Sequence, residues 1–509
     1  MKIITALILL TSSLFAQNYY VNALTGINSL KQPGDISHPW KTISYAAERI
    51  RAGPANIYVA DGMYDLSLGE VFPISIYPNI NIIGSSNSII SGKNEDTRIP
   101  IYLSLPTPPI ISLRLFVQRP GFTNSSSIIN NFLIQNAQEI YTSDLAPPGG
   151  FNSEQKIIFI NCRFLNASRA LISMVMDTCL EIFNCYFENM TSGAVWVGPT
   201  RFQHKIISCR FYKNAMGLNM ANAKNVVIDK CFFEKNGNAI LAGAIFVRTS
   251  NNIIIRNSIF NNNIIGINTN AIFPTSMIEM YVINCTFKKN DIGMISSWDY
   301  NGLMGITSQI IANCLLYRST LYDLINIEST ELFNCLFESA NTPSTPPYRI
   351  PNPNLFTDPG INQDYRLNDD SILIDAGWNN QYIGDNDYYG NRRDNGYVDI
   401  GAVEYNQFLT YDRTPVSIFL HVRRIDNNQP LIWAASLFDW GHISLDDRNV
   451  YLTCDDLFWN TVTLTTNHDI SVQIPPVLNG TRVLFGYVTI NPGRSAWIET
   501  VSNIIEVIL

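Results

Sequence analysis

The sequence predicts an all-β chain: a right-handed parallel β-helix solenoid with an N-terminal cap, followed by a small antiparallel β-sandwich. Three observations carry this. The phrase Asn-Cys-x-Phe recurs at intervals of 21–29 residues, a short β-branched run precedes the copies, and Asn stands at most of the junctions. Self-similarity at that period is the mark of a stacked repeat, in which each turn buries its apolar face on its neighbours.

The copies are Asn161-Cys162-Arg163-Phe164, Asn184-Cys185-Tyr186-Phe187, Ser208-Cys209-Arg210-Phe211, Lys230-Cys231-Phe232-Phe233, Asn257-Ser258-Ile259-Phe260 and Asn284-Cys285-Thr286-Phe287. Later come Asn313-Cys314-Leu315-Leu316 and Asn334-Cys335-Leu336-Phe337, with a looser early copy at Asn131-Phe132-Leu133-Ile134. The preceding runs, such as Ile157-Ile158-Phe159-Ile160 and Ile253-Ile254-Ile255, are too short and too firmly bounded by Asn to be helices. In a strand, Cys and the Phe two residues later share one face. Stacked coils therefore place a Cys ladder beside a Phe ladder, both pointing inward. Asn suits the bend because it tolerates a left-handed backbone.

This placement decides how the nine cysteines read. An exported chain rich in cysteine ordinarily suggests disulfides. Side chains running parallel on rungs about 4.8 Å apart do not meet the geometry of a disulfide, so the ladder cysteines are expected to be small buried apolar groups. Cys179 and Cys454 lie outside the ladder and are expected to be free. No His accompanies the ladder, which argues against a metal there.

Length and composition agree with a solenoid. At 509 residues the chain exceeds one ordinary globular core. Hydrophobic residues make up 46% and charged residues 15%, which excludes a disordered chain. A net charge of −8 without a basic run repels phosphate backbones, so nucleic acid is excluded as a partner. Lys2, the apolar run Ile3 to Leu10 and the small-residue ending near Ala16 read as a bacterial Sec-type signal over 1–17. That run is shorter than the roughly 20 residues a membrane helix needs. No later stretch reads as a membrane span. The expected location is secreted or cell-surface, and the oligomeric state is left open.

Residues 18–64 carry Tyr19-Tyr20-Val21, then Pro39-Trp40-Lys41-Thr42-Ile43, Ile57-Tyr58-Val59 and Gly62-Met63-Tyr64. This stretch resembles the N-terminal cap of exported parallel β-helix proteins of the pectate-lyase-like superfamily. The resemblance implies a first strand, a loop, a short capping helix opening at the Pro-aromatic-Lys-Thr-Ile phrase, and a strand ending in Gly-x-Tyr. It speaks for fold rather than activity. The helix proper is expected over 65–340, and a loop with a closing segment over 341–405. Within that segment Asp358-Pro359, Asp375-Ala376-Gly377 and Asp399-Ile400-Gly401-Ala402 resemble the stretch that ends many surface β-helices. Residues 408–509 lose the repeat and alternate apolar with polar residues between turns, as a β-sandwich does.

Related enzymes hold substrate on the outer face of one parallel sheet. The strand after each small residue predicts an outward row Ile172, Trp196, Asn219, Phe246, Asn268 and Ile295. Arg248, Asn270 and Ser297 form the neighbouring row, with Trp298 and Asp299 at its rim. The row is aromatic and amide-bearing, not acidic. The several Asp and the Lys of a calcium-dependent lyase do not stand here, nor do paired Asp of a hydrolase. Arg248 with Asp299 is the best catalytic pair available. Trp196, Phe246 and Trp298 could stack on sugar rings, with Asn219, Asn268 and Asn270 bonding hydroxyls. A loop such as 141–155 or the C-terminal domain could cover the row instead. Asp385, Asp387 and Asp394 around Gly390 could hold calcium, or serve as turn residues with Arg partners. The expected function is binding of a polysaccharide, cell-surface glycan or surface partner, without catalysis. A polysaccharide lyase or glycoside hydrolase is the alternative, and a structural or adhesive surface protein the third.

Overall fold

The structure is a computed structural model, which describes nearly all of residues 16–92, most of 114–405 and the strands between 408 and 508. The signal segment expected over 1–17 falls almost wholly outside the described residues.

Among the described residues the coils build three parallel sheets of 12, 11 and 11 strands. The first runs from Gln17–Val21 to Thr330–Phe333 and takes the β-branched runs. The second, from Gly62–Tyr64 to Leu336–Phe337, takes the Phe-bearing strands. The third, from Ile74–Ile76 to Ala340–Asn341, takes the strand that follows. Every coil adds one strand to each sheet, so the repeat spacing of the sequence is the contour of one coil. Register between coils is direct, with Phe164 opposite Phe187, Phe187 opposite Phe211 and Phe211 opposite Phe233.

The Phe ladder forms as expected. From Phe164 to Phe287 the six rings stack at centroid distances of 4.5–4.9 Å, their planes within 4–5° of parallel. All six are fully buried. Their size dictates what faces them. The third sheet opens with Ala170, Ala194, Gly217, Ala244, Gly266 and Gly293 in one register row. A Cβ on Gly266 would lie 2.8 Å from the Phe287 ring and 2.4 Å from the Gly293 carbonyl oxygen. Small residues stand there because the rings and the next coil leave no room.

The eight described cysteines are free thiols, all buried. The ladder thiols do more than fill space. Each Sγ–H donates to the carbonyl two residues back, 3.3 Å for Cys162 to Ile160 and for Cys209 to Ile207. Each also reaches a carbonyl of the preceding coil, as Cys231 does to Ile206 at 3.4 Å. At the one rung without Cys, Ser258 Oγ takes the same position and donates to Arg256 O at 2.7 Å. Cys179 stands apart from the ladder, its thiol donating to Gln203 O. Cys454 lies outside the described residues.

The bend residues before the Cys adopt left-handed backbone, with φ between 46° and 63° from Asn131 to Asn334. A feature that sequence reading missed is a ladder of buried amides at the next corner. Asn214, Asn236 and Asn263 each donate Nδ2 to the Oδ1 of the next, ending on Asn290, at 3.0 Å per step. Each Nδ2 also donates to a Phe carbonyl of the preceding coil, such as Asn236 to Phe211 O at 2.9 Å. No polar atom of these amides is wasted, which is what permits them to be buried.

The cap forms as the resemblance implied. The helix Ile43–Arg49 is N-capped by Thr42, whose Oγ1 accepts from Tyr45 N. Glu70 reaches back to accept from Ile43 N and Ser44 N at 2.6 and 2.9 Å, placing a carboxylate at the helix start. Trp40 is buried, stacked on Tyr19 at 5.4 Å. Beyond 408 the strands pair antiparallel in two main sheets, Phe408–Arg413 with Ser417–Arg423 and Asp469–Gln473 in one, and Leu431–Ser436 with Arg482–Ile490 in the other.

Residues 359–405 run along the flank of the later coils, over the Asn-Cys corner. Asn257, Asn284, Asn313 and Asn334 donate to the carbonyls of Ile383, Asp399, Trp378 and Ala376 respectively. Tyr388, Tyr389, Ala402 and Val403 pack on Ile259, while Leu373 and Ile400 pack on Leu315 and Tyr317. The bend asparagines thus serve twice, as left-handed residues and as hooks for this segment.

The ladder predicts its own tolerance. Cys209→Ser is expected to change unfolding free energy by less than about 1 kcal/mol, because a hydroxyl can repeat the Ser258 bonds. Cys209→Leu should cost about 1–3 kcal/mol by overpacking. Urea unfolding of the two variants checks this, and the wild-type midpoint should not move when a reductant is added.

Candidate functional site

The third sheet brings the expected row together. Ile172, Trp196, Asn219, Phe246, Asn268 and Ile295 pair rung to rung in one line. Arg248, Asn270 and Ser297 form the parallel line two residues on. The inward partners Leu171, Val195, Leu218, Ile245 and Ile267 are fully buried, so the alternation read from the sequence holds. Trp298 and Asp299 lie outside the described residues.

The row is not an open platform. Ile172, Asn219 and Asn268 are buried, while Trp196, Phe246 and Ile295 are half-buried. Arg248 alone among the described named residues is exposed. Trp196 has one ring face already occupied, since the Arg169 guanidinium lies 4.6 Å from its centroid. Arg169 is in turn held by Glu139, Nη1 to Oε1 at 3.4 Å. Glu139 and Arg169 pair across adjacent coils near the start of their strands, an arrangement that local sequence gave no reason to connect with Trp196.

Polar satisfaction on this face differs from that of the core. Trp196 Nε1, Asn219 Oδ1 and Asn270 Oδ1 are shut from solvent and have no hydrogen-bond partner. Trp196 and Asn219 sit on adjacent rungs, and Asn270 stands two coils further along. This differs from the amide ladder inside, where Asn214, Asn236 and Asn263 are bonded at both ends. An unpaired buried polar atom costs about 1–3 kcal/mol, so each calls for a physical reason.

The acidic group proposed from sequence as a calcium holder divides. Asp385 is exposed, Asp394 lies outside the described residues, and Asp387 is fully buried. The Asp387 carboxylate accepts from Asn391 N at 2.6 Å, Asn391 Nδ2 at 3.1 Å and Glu404 N at 2.9 Å. Both of its oxygens are thereby engaged in tying the loop to Glu404. Among the described residues no group of three or more His, Cys, Asp and Glu is placed to hold a metal ion. Glu404 itself meets Arg393, a buried pair, and Arg393 also donates to Asn257 Oδ1 and Gly401 O at 2.9 and 3.0 Å. The Asp399 carboxylate is instead engaged by backbone N–H groups, accepting from Asp375 N at 2.7 Å and from Tyr405 N. Burial, reinforced by Asp399 and Asp387, pushes Glu404 up to about 8 despite the opposing pull of Arg393.

Residues 149–315 match the family described as a right-handed β-helix region. No curated protein matches the chain. Among solved structures, XylC in complex with xylose is similar at 10% identity, covering 64% of this chain and 70% of that one, with a TM-score of 0.36. The catalytic domain of a GH87 α-1,3-glucanase in complex with tetrasaccharides is similar at 11% identity, covering 64% and 68%, with a TM-score of 0.35. Tailspike protein 3 of bacteriophage CBA120 is similar at 12% identity, covering 63% and 62%, with a TM-score of 0.27. Among the described residues no helix is long and apolar enough to cross a membrane.

The buried cluster predicts a pH dependence. Glu404 in the folded chain holds its proton up to about 8, against 4.5 for an ordinary glutamate. A raised carboxyl contributes stability that is complete below 4.5 and is lost as pH rises through about 8. Glu404→Gln removes that titration, so its melting temperature should fall less steeply than wild type across that interval, read by scanning calorimetry. Over residues 149–315, family match and coil geometry agree, and this part of the chain is a right-handed β-helix region.

Proposed function

We propose that this chain is an exported or cell-surface protein that binds a polysaccharide along the outer face of its third sheet, without cleaving it. The observation that carries the reading is the outward line of Trp196, Asn219 and Phe246 on successive coils, in which both aromatic rings keep part of their surface open to solvent. A sugar hydroxyl both donates and accepts. A polysaccharide combines such hydroxyls with apolar ring faces, which suits a line that alternates aromatic and amide side chains. Phe246 supplies an apolar surface between the two amide positions Asn219 and Asn268. Arg169 and Glu139 hold the Trp196 ring, so its contribution is the one remaining face.

The absence of cleavage rests on the chemistry of the same rows. Glycoside hydrolysis ordinarily uses two carboxyl groups flanking the scissile bond. The described residues of the two outward rows carry none, and Arg248 has no acidic partner within them. The exported location rests on the apolar segment after Lys2.

The test is affinity gel electrophoresis against a panel of neutral and uronic-acid polysaccharides, with reducing ends and unsaturated uronates assayed in parallel. Wild type is expected to be retarded by at least one polymer while releasing no product. Asn219→Ala combined with Asn270→Ala should weaken that retardation by about tenfold, the equivalent of about 1–3 kcal/mol of lost hydrogen bonding. Unchanged retardation in the double variant would remove the site from this face. Product release would replace binding by catalysis.

A further inference from the structure

The corner after the Phe strand carries a second surface, separate from the third-sheet row. Its residues are Asn136, Asn166, Asn189, Lys213, Lys235, Asn262, Lys289 and Arg318, all with φ between 53° and 58°. Coil-to-coil backbone bonds fix them as one line: Lys213 N donates to Glu234 O, Lys235 N to Asn261 O, Asn262 N to Lys288 O and Lys289 N to Tyr317 O. From Asn166 to Arg318 every member is exposed.

Conformation makes the lysines notable. A left-handed backbone is uncommon for residues other than Gly, Asn and Asp, and four of these eight positions are Lys or Arg. The corner before the Cys follows the conformational rule more closely, with Asn at seven of the nine positions from Asn131 to Asn334. Where strain is kept on an exposed line, the side chain is the reason to look for function.

Electrostatics points the same way. The whole chain carries −8, yet this line sets Lys213 and Lys235 on neighbouring coils and Lys289 and Arg318 on the next such pair. Lys213, Lys235 and Lys289 make no ion pair among the described residues. Lys213 and Lys235 rest over the Tyr212 ring at 4.9 and 5.6 Å, which directs both stems to one place. The adjoining carboxylates are engaged elsewhere, Glu188 with the Tyr186 hydroxyl and Glu234 with Arg210. Asp291 is the nearest acidic neighbour in sequence to Lys289 and is half-buried.

We infer that this corner is a docking line for a linear sulfated polysaccharide lying along the helix axis. Cations on four of five successive coils, about 4.8 Å per coil with Asn262 the one gap, match an extended polymer carrying many anions rather than a compact ligand. The row is mainly lysine, a point charge on a flexible stem, whereas carboxylate recognition favours the bidentate fork of arginine. Sulfate esters accept from any approach and stay ionised at every physiological pH.

The experiment compares the full chain with Lys213→Asn/Lys235→Asn/Lys289→Asn on immobilised dextran sulfate, unsulfated dextran and polygalacturonate. Asn fits the left-handed backbone, so the triple variant should fold at least as well as wild type, verified by its melting temperature. Wild type is expected to bind dextran sulfate in a salt-sensitive way and to ignore unsulfated dextran. The triple variant should bind about tenfold more weakly, the combined effect of three exposed charge contacts. Equal binding by a folded triple variant, or no wild-type binding at low salt, overturns the inference. Preference for polygalacturonate overturns the assignment to sulfate. Asn219→Ala/Asn270→Ala should leave dextran sulfate binding unchanged, so failure here and failure of the third-sheet site are told apart.

Discussion

Everything in this chain depends on the direct register of one coil on the next. The Phe rings from Phe164 to Phe287 stack face on face because each sits opposite its copy. Slipping one residue would turn every ring to the outside. The same register closes the Asn214–Asn290 amide ladder and aligns the thiols, so a single constraint satisfies apolar, polar and sulfur groups together. It also explains the Ala and Gly row of the third sheet, where a Cβ at Gly266 would meet both ring and backbone.

Stacking like upon like has an outward consequence as well. Any residue type that recurs in a coil becomes a line on the surface. Three such lines have different fates. The bend asparagines from Asn257 to Asn334 are taken by residues 376–401, which cover the flank of the later coils. The third-sheet row keeps three unmet polar atoms at half-buried or buried positions. The corner from Lys213 to Arg318 stays exposed and cationic.

The repeat was legible because it is local. Asn-Cys-x-Phe names the bend, the inward thiol and the inward ring within four residues, and the coil simply copies it. The capping helix was legible for the same reason, since Thr42 and the residues after it carry their own start signal. The third-sheet row followed from strand alternation once the coils were aligned. What it would meet did not follow. Arg169 reaches Trp196 from a neighbouring coil, and Asn219 and Asn268 are buried although strand alternation turns them outward. The Asp387 carboxylate, read from sequence as a metal ligand or a turn residue, is engaged by Asn391 and by Glu404, the latter brought back by the fold.

Sequence by itself determined the coil, its inward side chains and the order cap, solenoid and strand-rich tail, because each is fixed by contacts between a residue and its copy one period away. Only the tertiary structure decided which outward lines are occupied. The flank segment chooses the Asn-Cys corner, the Arg169–Glu139 pair claims one face of Trp196, and the lysine corner is left bare. Those choices rest on contacts between residues of unrelated position, such as Asn313 with Trp378 and Arg393 with Asn257, which no periodicity encodes.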